Sequence, residues 1–207
     1  MNTIELNKIK ETRKYTLNVR TITMTAMLAA ISYVLAFLEF PVPLSPAFAR
    51  MDLSDFPALI GAFAYGPVVG IMIELVKNGL QLLGTSTGGV GELANFLIGG
   101  AFVFTAGMIY KKRKTKRMAW LSCISGSIVM GVVAAIINYF ILLPMFEMFM
   151  PLDQVIASFG SFIPFIKTKL DIVLFNAFPF NLLKGLVISV FTMMIYKRLT
   201  PVLKGVQ

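Results

Sequence analysis

Four stretches of the chain, residues 21–40, 92–110, 118–147 and 170–196, are almost empty of charge. Each runs for about the ~20 residues that an α-helix needs to cross a ~30 Å hydrocarbon core. A fifth apolar stretch, DFPALIGAFAYGPVVGIMIELVKNGLQLL over 55–83, is too long for one span and carries Gly66-Pro67 in its middle. Proline removes a backbone donor there and turns the preceding residue away from helix. The pattern therefore predicts a break, two shorter helices over 54–65 and 67–83, and six spans in all.

Charge supports this count. With six spans and a cytoplasmic N-terminus, one face receives Lys8, Lys10, Arg13, Lys14 and Arg20, then the run KKRKTKR over 111–117, then Lys197, Arg198 and Lys204. The other face keeps only Arg50, Lys167 and Lys169. Five spans would place the basic run outside, against the positive-inside tendency. The basic run thus has a topological explanation, and the net charge of +9 calls for no nucleic acid.

Composition agrees: 57% of the 207 residues are hydrophobic and 14% charged, against about a quarter charged in soluble domains. The expected fold is an all-α integral membrane protein of six transmembrane helices with both termini cytoplasmic. It forms a single membrane domain over 1–207, with 1–19 a cytoplasmic segment and 20–200 the helix bundle. The first 20 residues lack the apolar core and cleavage site of a signal peptide, so they are expected to be retained. Histidine is absent and Cys123 is the single cysteine. This removes the commonest metal ligand, the commonest neutral-pH acid or base, and any intrachain disulfide. No metal site and no catalytic group is expected, and the protein is read as no enzyme.

The loops differ in character. EFPVPLSPAFARMDLSD, with Pro41, Pro43 and Pro46, is stiff and apolar and reads as a lid. The stretch 144–168 is expected to lie along the interface or fold back over the outer mouth. GTSTGGVGE lacks the Gly-Lys-Ser/Thr ending of a nucleotide-binding loop, so no ATP site is read.

Ionisable or amide side chains within a span normally face a partner or a cavity. Glu74, Lys77, Asn78 and Gln81 share one face of the third span, and Glu74 with Lys77 reads first as a self-neutralising internal pair. Glu92 and Asn95 open the fourth span and either cap it or line the outer mouth. Asn138 lies inside the fifth span, in INYFILLP. Asn181 and Lys184 are three apart on one face of the sixth, a turn beyond Pro179. These three either make interhelical hydrogen bonds or bind a flat heteroaromatic ligand, since amides offer donor and acceptor together and aromatic rings stack. No second titratable group has an evident reason to meet Lys184. Asp52 either orients a ligand hydroxyl or caps the second helix with Asp55. In the first span Ala26 and Ala30 make a small-xxx-small face that lets another helix approach.

DLSDFPALIGAFAYGPVVGIMIELVKN, GGVGELANFLIGG, INYFILLP and PFNLLKG, in that order, resemble the riboflavin-specific substrate-binding (S) component of energy-coupling factor (ECF) transporters, over roughly residues 20–200. The resemblance implies a multi-pass protein of the bacterial plasma membrane that captures riboflavin from outside, with the loop after helix one closing over the site. It places Asn138, Asn181 and Lys184 in the vitamin pocket. Asn95 and Glu92 are further candidates, and Leu44, Phe48 and Met51 are the candidates on the lid. It makes Ala26 and Ala30 the docking face for a transmembrane coupling (T) protein driven by two cytoplasmic ATPases, which would use the ATP. The chain would need no cofactor of its own. An S component for another vitamin or a nucleobase-like ligand, or a structural or enzymatic membrane subunit, are the alternatives.

Overall fold

The computed structural model describes residues 19–41, 50–85, 87–149 and 151–204, and these form helices joined by short turns. Helix α1 (Val19–Ala36) leads to a two-stranded antiparallel ribbon, β1 (Phe40–Pro41) with β2 (Arg50–Met51), in the register Phe40 to Met51 and Pro41 to Arg50. Helices α2 (Asp55–Tyr65), α3 (Pro67–Gln81), α4 (Val90–Lys112) and α5 (Lys116–Ile137) follow. Beyond α5 come a π-helical turn (Asn138–Leu142), α6 (Leu143–Phe149), α7 (Leu152–Gly160) and α8 (Lys169–Ile172). A second π-helical turn (Val173–Ala177) then leads into α9 (Phe178–Lys204).

The break in the disputed stretch falls at Gly66, whose φ of 110° lies where only glycine sits without strain. Pro67 then opens α3 at a position whose N–H would have no helical partner, which is where proline is tolerated.

Among the described residues, four helical segments, Val19–Ala36, Val90–Lys112, Lys116–Met148 and Lys169–Leu199, are long and apolar enough to cross a membrane. Helices α2 and α3, of 11 and 15 residues, are shorter than a full span. The reason is visible in their burial. Asp55 and every residue from 57 to 64 are buried, and α2 packs against α1, α3, α4 and α9 at once. A helix that is apolar all round belongs in the middle of a bundle, and α2 is this bundle's central element.

The two ends of α2 differ. At its C-terminal end Phe63 stacks on Tyr110 with ring centroids 4.3 Å apart and meets Tyr196 edge-on at 5.7 Å. Tyr110 and Tyr196 immediately precede the basic runs beginning at Lys111 and Lys197, so these runs share one end of the molecule. At the N-terminal end of α2 the packing opens, and the polar groups of the spans collect there.

The stretch 144–168 is more ordered than a loop. It forms α6 and α7, whose apolar side chains Val155 and Phe159 pack with Leu143, Ile166, Ile172 and Val173 in a satellite core. Lys169 ties this cap down through Glu147 at 2.7 Å, with its ammonium 5.5 Å from the Tyr139 ring centroid.

Candidate functional site

A cavity of about 310 Å³ lies at this end of the bundle, within the usual size range of small-molecule sites. Its walls come from α4, the ends of α5 and α9 at the two π-helical turns, and the α6–α7 cap folded over it. Phe146, Phe159 and Phe180 with Ile98, Leu142 and Leu143 supply apolar surface, while Asn95, Asn138, Asn176 and Asn181 supply amides. Glu39, Asp52, Gln81 and Lys184 complete the polar lining.

Both π-helical turns adjoin the cavity, and Asn138 opens the first. Such single turns widen a helix and recur at functional sites. Asn138 donates one amide N–H to the Ala134 carbonyl at 2.8 Å, and Asn181 does the same to Ala177 at 2.9 Å. Each bond reaches back one turn and fixes the side chain while leaving the amide oxygen and the second N–H for the cavity.

Lys184 is only 5% exposed. Its Nζ lies 3.2 Å from Asp52 Oδ2 and 3.1 Å from Asp55 Oδ2. The expectation that no titratable group meets this lysine is therefore corrected. The partners come from the turn into α2, 132 residues away in the case of Asp52, a separation no local pattern reveals.

Asp55 continues the network inward. Its Oδ1 accepts from Lys77 Nζ at 2.7 Å, and Lys77 also lies 2.6 Å from Glu74 Oε2 and 3.1 Å from Ser54 Oγ. The expected Glu74–Lys77 pair is present but is not self-contained. Asp55 does not cap α2 but is turned into the bundle, and Asp52 Oδ1 takes the Ser54 N–H at 2.7 Å instead. Ser32 of α1 donates to the Ser54 carbonyl, pinning the same turn from another side. Gly99 of α4 closes the third side: a Cβ there would sit 2.9 Å from Glu74 Oε2 and 3.2 Å from Asp55 Oδ1.

The remaining sequence candidates are placed as follows. Asn95 lines the cavity; Glu92 does not. Glu92 accepts the Thr87 hydroxyl at 2.9 Å and faces a smaller neighbouring cavity, about 240 Å³, which shares Glu39 and Gln81 with the main one. Met51 is buried on β2 and is not part of the cavity wall. Leu44 and Phe48 fall in 42–49, outside the described residues. Ala26 and Ala30 lie on the exposed side of α1 and are not part of the cavity wall. Gln81, read from the sequence on the polar face of the third span, lines the cavity, whereas Asn176 and Glu39 were not singled out in the sequence. Asn176 stands five positions before Asn181, roughly 140° away around a regular helix, and the π-helical turn at Val173–Ala177 lies between a pattern reading and the face it actually presents. Among the described residues, no cluster of Cys, Asp and Glu is arranged to hold a metal ion.

Known proteins provide an independent comparison. A family model for the substrate-specific component of ECF transporters matches residues 20–196. The riboflavin transporter RibU of Staphylococcus aureus (strain TCH60) is 39% identical over 190 residues, covering 91% of this chain and 94% of that protein. The riboflavin transporter FmnP of Bacillus subtilis (strain 168) is 33% identical over 188 residues, covering 89% and 94%. A solved structure of the S component of a bacterial ECF transporter superposes with a TM-score of 0.70 at 38% identity, covering 89% of this chain and 97% of that one.

Proposed function

The chain belongs to the substrate-specific components of ECF transporters, and from that premise we propose that it captures riboflavin in the cavity lined by Asn138, Asn181 and Lys184. It is a membrane-embedded substrate-binding subunit and not an enzyme. The relatives named above are riboflavin transporters, and the observation that carries the reading here is the chemistry of the cavity wall. Five amides, an ammonium and two carboxylates share the wall of about 310 Å³ with three phenylalanines. The isoalloxazine ring has that character: two flat faces for aromatic contact and one edge of alternating carbonyl and N–H groups, which amides can both donate to and accept from.

In this mechanism the ring enters from outside and lodges among α4, α5 and α9. Asn138 and Asn181, each already fixed by its bond to the preceding turn, read the polar edge with the groups left over. Asn95 and Asn176 stand within the same wall. Lys184 donates to an electron-rich ring atom or hydroxyl, and Asp52 accepts from a hydroxyl of the side chain. Phe146 and Phe159 on the α6–α7 cap exclude water, so each of these bonds forms in a medium of lower dielectric and counts for more. Leu44 and Phe48 are our further ligand-contact candidates, on the sequence alone. Glu92 holds the turn before α4 at the rim.

The architecture we infer is one membrane domain of six spans, α2 and α3 each crossing with the help of their neighbours, in the bacterial plasma membrane. The basic ends of α1, α4, α5 and α9 would face the cytoplasm. Ala26 and Ala30 would receive a transmembrane coupling protein, whose two ATPase partners use the ATP. Titration of the purified chain with riboflavin tests the ligand assignment: saturable quenching of flavin fluorescence is expected, and its absence would contradict the assignment. A panel of other vitamins and nucleobases in the same assay would then identify the ligand class.

A further inference from the structure

We infer that Asp55, Lys77 and Glu74 are positioning residues that set the ammonium of Lys184 at one point of the cavity wall without touching the ligand themselves. The inference rests on the ligand reading above and adds residues to it that lie outside the cavity.

Asp55, Glu74 and Lys77 are fully buried, and none of them lines the cavity, whereas Lys184 does. They form an unbroken chain: Glu74 Oε2 to Lys77 at 2.6 Å, Lys77 to Asp55 Oδ1 at 2.7 Å, and Asp55 Oδ2 to Lys184 at 3.1 Å. A lysine side chain has four rotatable bonds and a compact, mobile charge, so one ion pair at its tip leaves it room to wander. Lys184 has two anchors of different kinds. Asp52 lies beside the ribbon, is partly exposed, and shares the cavity wall. Asp55 belongs to the first turn of the central helix and is held by Lys77 at 2.7 Å, in a space on the α4 side that a Cβ on Gly99 would crowd.

Helix packing alone does not explain the arrangement. Charges buried in a bundle are costly to desolvate, and apolar side chains of similar size hold helices together at least as well. Here three carboxylates and two ammoniums are gathered at one end of α2, and the gathering terminates in Lys184, which lines the cavity. Glu74 is the far end of the chain, with Oε1 lacking a hydrogen-bond partner among the described residues. Its other oxygen is shared by Lys77 and Asn78. Asp55 Oδ2, 3.1 Å from Lys184 Nζ, likewise has no aligned hydrogen bond among the described residues, so the link at the ligand end is an ion pair held by charge.

A double-mutant cycle on the full-length chain in detergent separates positioning from general structural support. Riboflavin affinity is measured by fluorescence quenching for the wild type, Asp55→Asn, Lys184→Gln and the double variant. Asp55→Asn keeps shape and removes the charge, and Lys184→Gln removes the charge while keeping a hydrogen-bond donor on a shorter side chain. Glu74→Gln, further from the cavity, is carried through the same cycle as a second link, and thermal unfolding of the ligand-free proteins confirms that each is folded. Positioning through Lys184 predicts that Asp55→Asn weakens binding by about tenfold or more, the scale of one charge-assisted bond, and that it adds little once Lys184 is already Gln. Equal losses in the two backgrounds, or wild-type affinity in both Asp55→Asn and Glu74→Gln, would overturn the inference while leaving the riboflavin site standing. Failure of the wild type to bind riboflavin would overturn the ligand reading, and this one with it.

Discussion

Lys184 and Asp52 stand 132 positions apart in the chain and 3.2 Å apart in space. Their contact joins α9 to the turn that precedes the central helix, and it does so in the wall of the cavity. Binding chemistry and helix packing therefore meet in one ion pair, and substitutions there have consequences for both.

In the proposed site the amides carry the ligand recognition. Asn181→Ala removes the acceptor and donor that Asn181 turns to the cavity, along with its bond to Ala177. We expect riboflavin affinity to fall by roughly tenfold, corresponding to ~1–1.5 kcal/mol for a lost hydrogen bond, with α9 still formed. Isothermal titration of the folded variant checks this, and Asn138→Ala is expected to behave alike.

Lys77 is the shared cation of two fully buried carboxylates. Lys77→Met leaves Asp55 and Glu74 without it. Breaking a buried pair from one side costs about 3–5 kcal/mol, and the loss is expected as a large drop in the midpoint of thermal unfolding. Replacing Glu74 by Gln, which keeps hydrogen bonding and removes one of the three negative charges, is expected to cost much less.

Gly99 admits the carboxylates. The Cβ of Gly99→Ala would lie 2.9 Å from Glu74 Oε2 and 3.1 Å from its Cδ. Glu74 is held by Lys77 and cannot simply swing away, so strain of about 1–3 kcal/mol is expected, as for other overpacked sites. Gly100, with nothing within 4 Å of its would-be Cβ, is the control: Gly100→Ala is expected to unfold at the wild-type temperature.

The exposed alanines of α1 separate capture from transport. Ala30→Trp adds bulk to a face turned away from the bundle. Riboflavin binding by the purified variant is expected to match the wild type, while uptake into cells that supply the coupling protein and ATPases is expected to fall severely. Normal uptake would remove this face from the docking surface.

Much of this architecture was legible in the sequence because the membrane simplifies the code. Long uncharged runs give the helices, and Gly66-Pro67 gives the break, since both residues act through their own backbones. Asn138, Asn181 and Lys184 stood out because amides and ammoniums are conspicuous among apolar neighbours. Asp55 was different: it sits next to a loop, where an acidic residue reads as a helix cap, and its true partners come from α3 and α9. Asn176 was visible in FNAFPFN, yet a regular helical period puts it off the face of Asn181. The π-helical turn that alters this period has no simple sequence signature. Likewise the 144–168 stretch looked irregular because of its prolines, whereas Pro144 lies within α6 and Pro151 immediately precedes α7.

The central claim is that this cavity holds riboflavin, and the most direct measurement is the absorbance spectrum of the protein purified from cells in detergent without added ligand. The account predicts flavin bands that persist through washing and that are diminished in preparations of Asn181→Ala and Lys184→Gln. A colourless wild-type preparation that also fails to quench added riboflavin fluorescence would contradict it.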